Sequence, residues 1–445
     1  MAMSRSWHEF IGASWRALII AAAAAVLSPQ GVRSQDATRA QFFTRPESAP
    51  RDEPPKAALS EGPAPPATNL HENPVVETAA ARTLSIGPVA LQLGLMGSVE
   101  YTDNVRVERV PQAGMMVSAG LNLGATLAVS QRQELTMLAV INQRTPLYGP
   151  GKRQRLYSVS PNSVLRFQVW VKDIRLTPFL KYSRQLDPVA SPVVSGTTIL
   201  DQATFTKGVQ GDIPLRWGGL QLIGLHERRS QRGDESLAQT SWTRSAGVRG
   251  IVNLTATHTL MADFVLARVR FVAGPAERTA AESFSVSDEW RISEGKNLTA
   301  AYGYGQMKFE GSRDPGDTAY SSSPFYTLEY RQSLRENLKV NVRYARSTQA
   351  GVSSNFYYLN DLALTPEYKF AERVNVTASV GHQWISESGP AGEEGTRLIL
   401  NLAGSYALAA KSDLRLSYDF TSKHSSIATR EYLQNRVTFV ANHQF

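Results

Sequence analysis

The chain has 445 residues, 47 Lys and Arg against 39 Asp and Glu for a net charge of +8, 42 % hydrophobic residues and a mean hydropathy of −0.25. It is long enough for a large core but too polar for a bundle of membrane helices. After Leu27 no run of about eighteen apolar residues follows, so a helical span is excluded outside the first residues. Cysteine is absent, which removes both a disulfide framework and a lipid-acylated cysteine anchor.

In chain order, Arg5 and Arg16 precede the apolar stretch Ala17 to Leu27, followed by Ser28-Pro29 and Val32-Arg33-Ser34. This layout predicts a secretory signal peptide over 1–34 cut after Ser34, the alternative being an uncleaved anchor. Residues 35–85 are rich in Pro and Ala, carry five basic and seven acidic side chains and few aromatics. Such a segment buries too little apolar surface to offset its ordering entropy, which predicts a disordered periplasmic lead-in, either a spacer or a tether, plug or docking peptide.

From Gly87 the texture changes to strict alternation. Val89, Leu91, Leu93, Leu95, Val99 and Tyr101 fall on one face and Gln92, Gly94, Ser98 and Glu100 on the other; Val117 to Val129 repeats the pattern. A period of two is a β-strand. Small and polar inner positions suit a wet lumen, whereas a β-sandwich needs a hydrophobic inner face. Further strands are expected around 134–143, 156–170, 174–183, 203–217, 220–228, 240–252, 259–271, 282–292, 298–309, 325–333, 338–346, 356–370, 374–385, 397–408, 414–421 and 433–445. The fold class is therefore all-β, a transmembrane antiparallel β-barrel over 86–445 with about eighteen strands, or sixteen if the two shortest candidates are not strands.

Connections alternate as well. Short ones are expected at Lys172-Asp173, Gly218-Gly219, Ser293 to Asn297, Arg335 to Asn337, Ala371 to Arg373 and Lys411 to Asp413. Long ones are expected at Arg144 to Arg155, Arg184 to Asp201, Arg229 to Gln239, Glu310 to Ser323, Ser386 to Thr396 and Ser422 to Tyr432. Short periplasmic turns and long outer loops are the asymmetry of an outer-membrane barrel in a Gram-negative cell. Trp217, Trp290, Tyr330, Tyr368 and Phe370 toward the turns, with Tyr101, Trp242, Tyr344 and Trp384 toward the loops, would form the interfacial girdles.

Sixteen to eighteen strands leave an aqueous channel. The inward register places Arg166, Arg175, Lys181, Arg216, Arg249, Arg331, Arg343, Lys369, Arg397, Arg415 and Arg436 against Asp212, Asp263, Glu289, Glu329, Asp361, Glu367 and Asp419. With the leader near +2 and the lead-in near −2, the barrel itself stays near +8. These charges either set up a field that favours anionic solutes or pair to brace the wall. The tip Gly149 to Arg155, with Lys152, Arg153 and Arg155, is either solvated or a grip for lipopolysaccharide phosphate or an acidic polysaccharide. It is not a phosphate-binding P-loop, because it lacks both the Ser or Thr after Lys and a strand-to-helix context.

Six histidines beyond the leader, His71, His226, His258, His382, His424 and His443, are scattered, with no metal-ligand spacing and no triad. His424 beside Ser425 and Ser426 is the nearest thing to a catalytic pair. The expectation is no enzyme, no cofactor, no metal and no nucleic-acid partner.

The last thirteen residues alternate Val437, Phe439, Ala441 and Phe445 with Arg436, Thr438, Asn442 and Gln444. They resemble the C-terminal signature of bacterial outer-membrane β-barrels, which implies recognition of Phe439 and Phe445 by the barrel assembly machinery. Tyr101, Asp103 and Asn104, within Glu100-Tyr101-Thr102-Asp103-Asn104-Val105, resemble the first-strand motif of a family of outer-membrane β-barrel porins (type 2) associated with exopolysaccharide export. The resemblance implies a channel or scaffold for a polymer, without catalysis. On the residues alone, Tyr101 reads as an interface anchor and Asp103-Asn104 as an Asx turn opening the first loop. No helical repeats of a periplasmic export domain precede the barrel, which leaves a plain diffusion porin open. The expected partners are outer-membrane lipid and lipopolysaccharide, the assembly machinery and, for an export channel, polysaccharide; the alternative is a non-transporting scaffold or adhesin acting through its outer loops.

Overall fold

A computed structural model describes residues 84–105, 107, 109–149, 156–185, 201–216, 218–232, 239–272, 278–311, 316–350, 354–390 and 392–445. The expected leader, most of the lead-in and the tip after Gly149 lie outside these residues. The sheet begins two residues earlier than the expected boundary at 86.

The strands are β1 (Leu84–Ile86), β2 (Val89–Thr102), β3 (Gly114–Ser130), β4 (Gln133–Tyr148), β5 (Leu156–Val159), β6 (Val164–Val171), β7 (Ile174–Gln185), β8 (Asp201–Leu215), β9 (Gly218–Arg232) and β10 (Gln239–Asn253). They continue as β11 (His258–Phe271), β12 (Arg278–Ser293), β13 (Lys296–Glu310), β14 (Tyr320–Arg335), β15 (Leu338–Ala350), β16 (Phe356–Ala371), β17 (Val374–Glu387), β18 (Glu394–Ala409), β19 (Ser412–Ser425) and β20 (Tyr432–Gln444). Neighbours in sequence pair antiparallel, except that β5 and β6 each pair with β4 and β7, and β2 pairs with β20 from Gly94↔Gln444 to Thr102↔Arg436, which closes the ring. Because β5 and β6 share one place between β4 and β7, and β1 is a three-residue rung on β2, the barrel has 18 strands. The break in the fourth strand falls at Ser160-Pro161-Asn162-Ser163, where proline cannot donate to the ladder. The Ser163 hydroxyl there accepts the Val140 N–H at 3.0 Å.

At one end the connections are two residues long at Gln131-Arg132, Lys172-Asp173, 216–217, Glu294-Gly295, Glu336-Asn337, Glu372-Arg373 and Ala410-Lys411; only Leu254 to Thr257 is longer among the described residues. Several expected turns are thus displaced. Leu215 pairs with Gly218 and Pro214 with Gly219, so both glycines open β9 instead of forming the turn. Gly295 has φ +73°, and a Cβ there would meet Ser333 at 3.0 Å, so the residue type is dictated by this turn. Longer connections gather at the other end.

The faces are inverted relative to a soluble protein. Outward positions are apolar and exposed, as at Leu402 (52 %) and Phe439 (43 %), while inward Arg249 and Asp263 are 4 % and 6 % exposed. A lipid-facing wall with all backbone groups paired in a closed ladder is one of two ways a chain can span a membrane. The fold is that of a transmembrane antiparallel β-barrel. Leu93, Leu95, Val99 and Tyr101 are exposed on β2 as their alternation demands, and Trp242, Trp290, Tyr368 and Trp384 lie exposed near strand ends. Tyr344 instead falls mid-way along β15, ring to ring with Tyr326 at 5.6 Å. Leu402→Arg, at the centre of β18, should cost about 2–4 kcal/mol in a urea folding titration in bilayers; a loss under about 1 kcal/mol would place that wall outside the hydrocarbon.

Inside, two glycines serve a purpose beyond smallness. Phe179 lies over its register partner Gly208 and Phe325 over Gly303, where an added Cβ would come within 2.6 Å and 2.2 Å of the rings. The interior is also less uniformly polar than its alternation suggests. Ala267, Val269, Ala281, Met307 and Phe309 form a buried apolar cluster with Phe356 on the loop side of β11–β13.

Candidate functional site

The site is the inner wall, and antiparallel register decides which side chains share it. Arg175 faces Asp212, with nitrogen and oxygen 2.9 Å apart, and that carboxylate also accepts from Gln210 at 3.0 Å and Gln221 at 2.8 Å. Arg249 pairs with Asp263 directly across β10 and β11. Glu329 takes Arg331 at 2.7 Å and Asn341 at 3.0 Å; Asp361 takes Arg343 at 3.0 Å and Gln383 at 3.1 Å. Asp419 accepts from Asn401 at 2.5 Å and Glu367 from Asn375 at 3.3 Å. Each carboxylate is therefore satisfied by an opposite charge or an amide from an adjacent strand, as a partly buried charge requires.

Arg166, Lys181, Glu289, Lys369, Arg397 and Arg415 also hold inward register positions, each opposite a residue of the same face: Thr136, Val164, Thr259, Asn375, Gln383 and Ser405. Lys181 lies 5.8 Å from the Phe179 ring. Arg216 has inward parity, but β8 ends at Leu215, so Arg216 is an exposed turn residue at the mouth. Arg436 lies 3.9 Å from Glu100, which Arg144 holds at 2.9 Å. Glu100 lies on the inner face that the alternation of the first strand gives it, whereas Arg144, expected to open a long loop, lies within β4, which runs on to Tyr148. Its parity with the other inward residues is the signal that could have found it.

The Tyr-Thr-Asp-Asn motif does more than open a loop. Asp103 accepts from both the backbone N–H (2.7 Å) and the amide (2.6 Å) of Asn435. Asn104 donates to the Leu433 carbonyl at 2.9 Å, and its own carbonyl accepts from Gln434 at 2.6 Å. These bonds continue the β2–β20 pairing past the end of β2. Phe445 adds an N–H to the Leu93 carbonyl at 2.9 Å at the opposite end of the same seam.

At the loop end four further charges meet. Lys423 reaches Glu393 at 2.8 Å, and Arg430 bridges Glu387 at 2.8 Å and Glu393 at 3.0 Å. Lys423 and Glu393 are completely buried side chains. Burial alone would lower the Arg430 pKa, yet hydrogen bonds and charge from Glu387 and Glu393 outweigh it and hold it above the ordinary arginine value. Lys423, expected in the connection Ser422 to Tyr432, lies within β19 and shares the parity of Asp419; Glu393 and Arg430 lie between strands, where no period marks them.

Beside His424, the Ser425 and Ser426 hydroxyls accept the backbone N–H groups of Ile427 (3.1 Å) and Glu394 (3.0 Å). Among the described residues no group of three or more His, Cys, Asp or Glu could hold a metal ion.

No protein-family model and no curated protein matches the chain. Among solved structures it is similar to OpdQ of Pseudomonas aeruginosa, at 10 % identity and a TM-score of 0.49 over 81 % of this chain and 99 % of that one. It is also similar to OpdK of the same organism with vanillate, at 12 % and 0.47 over 80 % and 98 %, and to the siderophore receptor PirA, at 9 % and 0.45 over 80 % of each. Likenesses this distant assign neither a solute nor a direction of transport.

Proposed function

We propose that the barrel is a channel for an anionic or polyhydroxylated solute, with secreted exopolysaccharide as its polymeric form. The observation that carries this reading is the inverted wall: an apolar exterior around an interior in which Asp212, Asp263, Glu329, Asp361, Glu367 and Asp419 are met by arginine, asparagine or glutamine. An eighteen-strand ring is too wide for side chains alone to fill. Paired charges interleaved with amides offer a solute hydroxyl or carboxylate many weak, exchangeable hydrogen bonds, strong enough to admit it and weak enough to release it. The Asp103-Asn104 motif supports the barrel without selecting its cargo, since its partners lie in the wall.

The test is single-channel conductance of the chain from residue 35 in a planar bilayer, with and without residues 35–85, and with an acidic polysaccharide as blocker. Anion-selective steps interrupted by the polymer are expected, and a rise on truncation would make the lead-in a plug. Arg415→Gln should move the reversal potential in a salt gradient toward cation selectivity, because it removes an inward positive charge beside Asp413 and Asp419. A folded barrel that passes no current would replace this reading with a scaffold or adhesin.

A further inference from the structure

A second group of basic residues stands on the outer wall, on the loop side of β8 to β13. One row of register partners crosses six adjacent strands: Lys207, His226, Arg244, Arg268, Ala280 and Lys308. The next row toward the loops reads Phe205, Arg228, Trp242, Arg270, Arg278 and Glu310. On the turn side the corresponding rows become mixed and then apolar, ending in Leu222, Val248, Phe264, Phe284 and Tyr304. All five arginines are exposed, on the face that carries Leu222, Val248 and Leu266.

Two features make this array more than a solvated rim. Arg244 stands directly opposite Arg268, and Arg270 directly opposite Arg278. Like charges at facing positions destabilise a sheet unless an anion lies between them. Acidic relief is sparse: Glu310 sits 3.6 Å from Lys308, Glu282 lies one row below, and none of the five arginines has a carboxylate in salt-bridge reach among the described residues. Arg228 is laid across the Trp242 ring at 4.9 Å, with His226 against the ring's edge at 5.6 Å. This fixes a guanidinium at the level where a tryptophan belongs, the membrane interface. Six strands at about 4.8 Å span roughly 24 Å, the scale of a glycolipid headgroup carrying two phosphates.

We infer that this wall, β8 to β13, is a binding site for a bis-phosphorylated glycolipid of the outer leaflet, whose phosphates sit between the facing arginine pairs and whose acyl chains lie on the apolar rows below. Guanidinium forks match phosphate oxygens, and each phosphate removes a like-charge repulsion as it binds. The inference rests on the outer-membrane placement and the loop side facing outward, and is independent of whether the lumen conducts.

The experiment is native mass spectrometry of the delipidated, folded barrel after addition of bis-phosphorylated lipid A, dephosphorylated lipid A or phosphatidylglycerol. Wild type should retain the bis-phosphorylated lipid at least tenfold better than either of the others. The variant Arg244→Gln, Arg268→Gln, Arg270→Gln, Arg278→Gln should lose that preference while keeping its heat-modifiable gel mobility. Should the fourfold variant misfold, the facing pairs are changed separately, Arg244→Gln with Arg268→Gln and Arg270→Gln with Arg278→Gln, and each must weaken retention. Equal retention by wild type and variants, or of phosphatidylglycerol and lipid A by wild type, overturns the site. A barrel that holds the lipid but passes no current would keep this inference and discard the channel.

Discussion

Glu393→Ala should loosen the loops between β17 and β18 and between β19 and β20 while leaving the barrel closed. Glu393 is the shared anion of Lys423 and Arg430, and Lys423 has no exposure to water. Removing the carboxylate strands a buried ammonium, a change that costs about 3–5 kcal/mol when one member of a buried pair is deleted. The ladder below does not depend on this contact, so the penalty falls on the loops, whose opening needs less energy than global unfolding. Trypsin should then cut after Arg430 in the variant and spare it in the wild type, with unchanged gel mobility of the unheated barrel. Replacing both partners, Glu393→Leu with Lys423→Met, should restore most of the protection, because neither charge is left alone. Identical digestion of wild type and Glu393→Ala would show that the cluster does not hold the loops.

Asp103→Ala should be the second most damaging single change. It deletes two hydrogen bonds from Asn435 to a carboxylate, each in the class worth about 1.5–3 kcal/mol. A loss near 3 kcal/mol in a urea titration of the folded fraction is expected, with Asn104→Ala adding about 1 kcal/mol through the Leu433 carbonyl. A double-mutant cycle between Asp103→Ala and Asn435→Ala should give a coupling above about 0.5 kcal/mol. Additive effects would return the motif to a local turn.

That comparison marks the limit of what the sequence discloses. Alternation from Val89 onward was sufficient for the strands, the closed ring and the eighteen positions, because lipid outside and water inside impose opposite demands on successive residues. Turn positions slipped by one or two residues, as at Leu215↔Gly218, because the same side chains suit a turn or a strand end. The partners of Asp103 lie 332 residues away in the chain, so the motif read locally as an Asx turn. On β11 the outward residues are apolar from Leu260 to Leu266, and above them Arg268 and Arg270 face out while Val269 is buried. Above the lipid band the outer environment is no longer hydrocarbon, and alternation alone does not say where that band ends. The basic surplus therefore read as a property of the lumen, although five arginines of it stand outside.

The seam has a kinetic meaning. Every other pairing of the ring joins strands adjacent in sequence through a connection short enough to be settled early and locally, whereas β2 meets β20 only after the rest of the chain is in place. Contacts of such separation form slowly, since the entropy of closing the loop precedes any gain from the contact. Assembly of this barrel then reduces to a fast, repetitive sequence of hairpins followed by one slow event. The hydrogen bonds that Asp103 and Asn104 make to β20 lie at the loop end of that event, and the Phe445 N–H lies at the other.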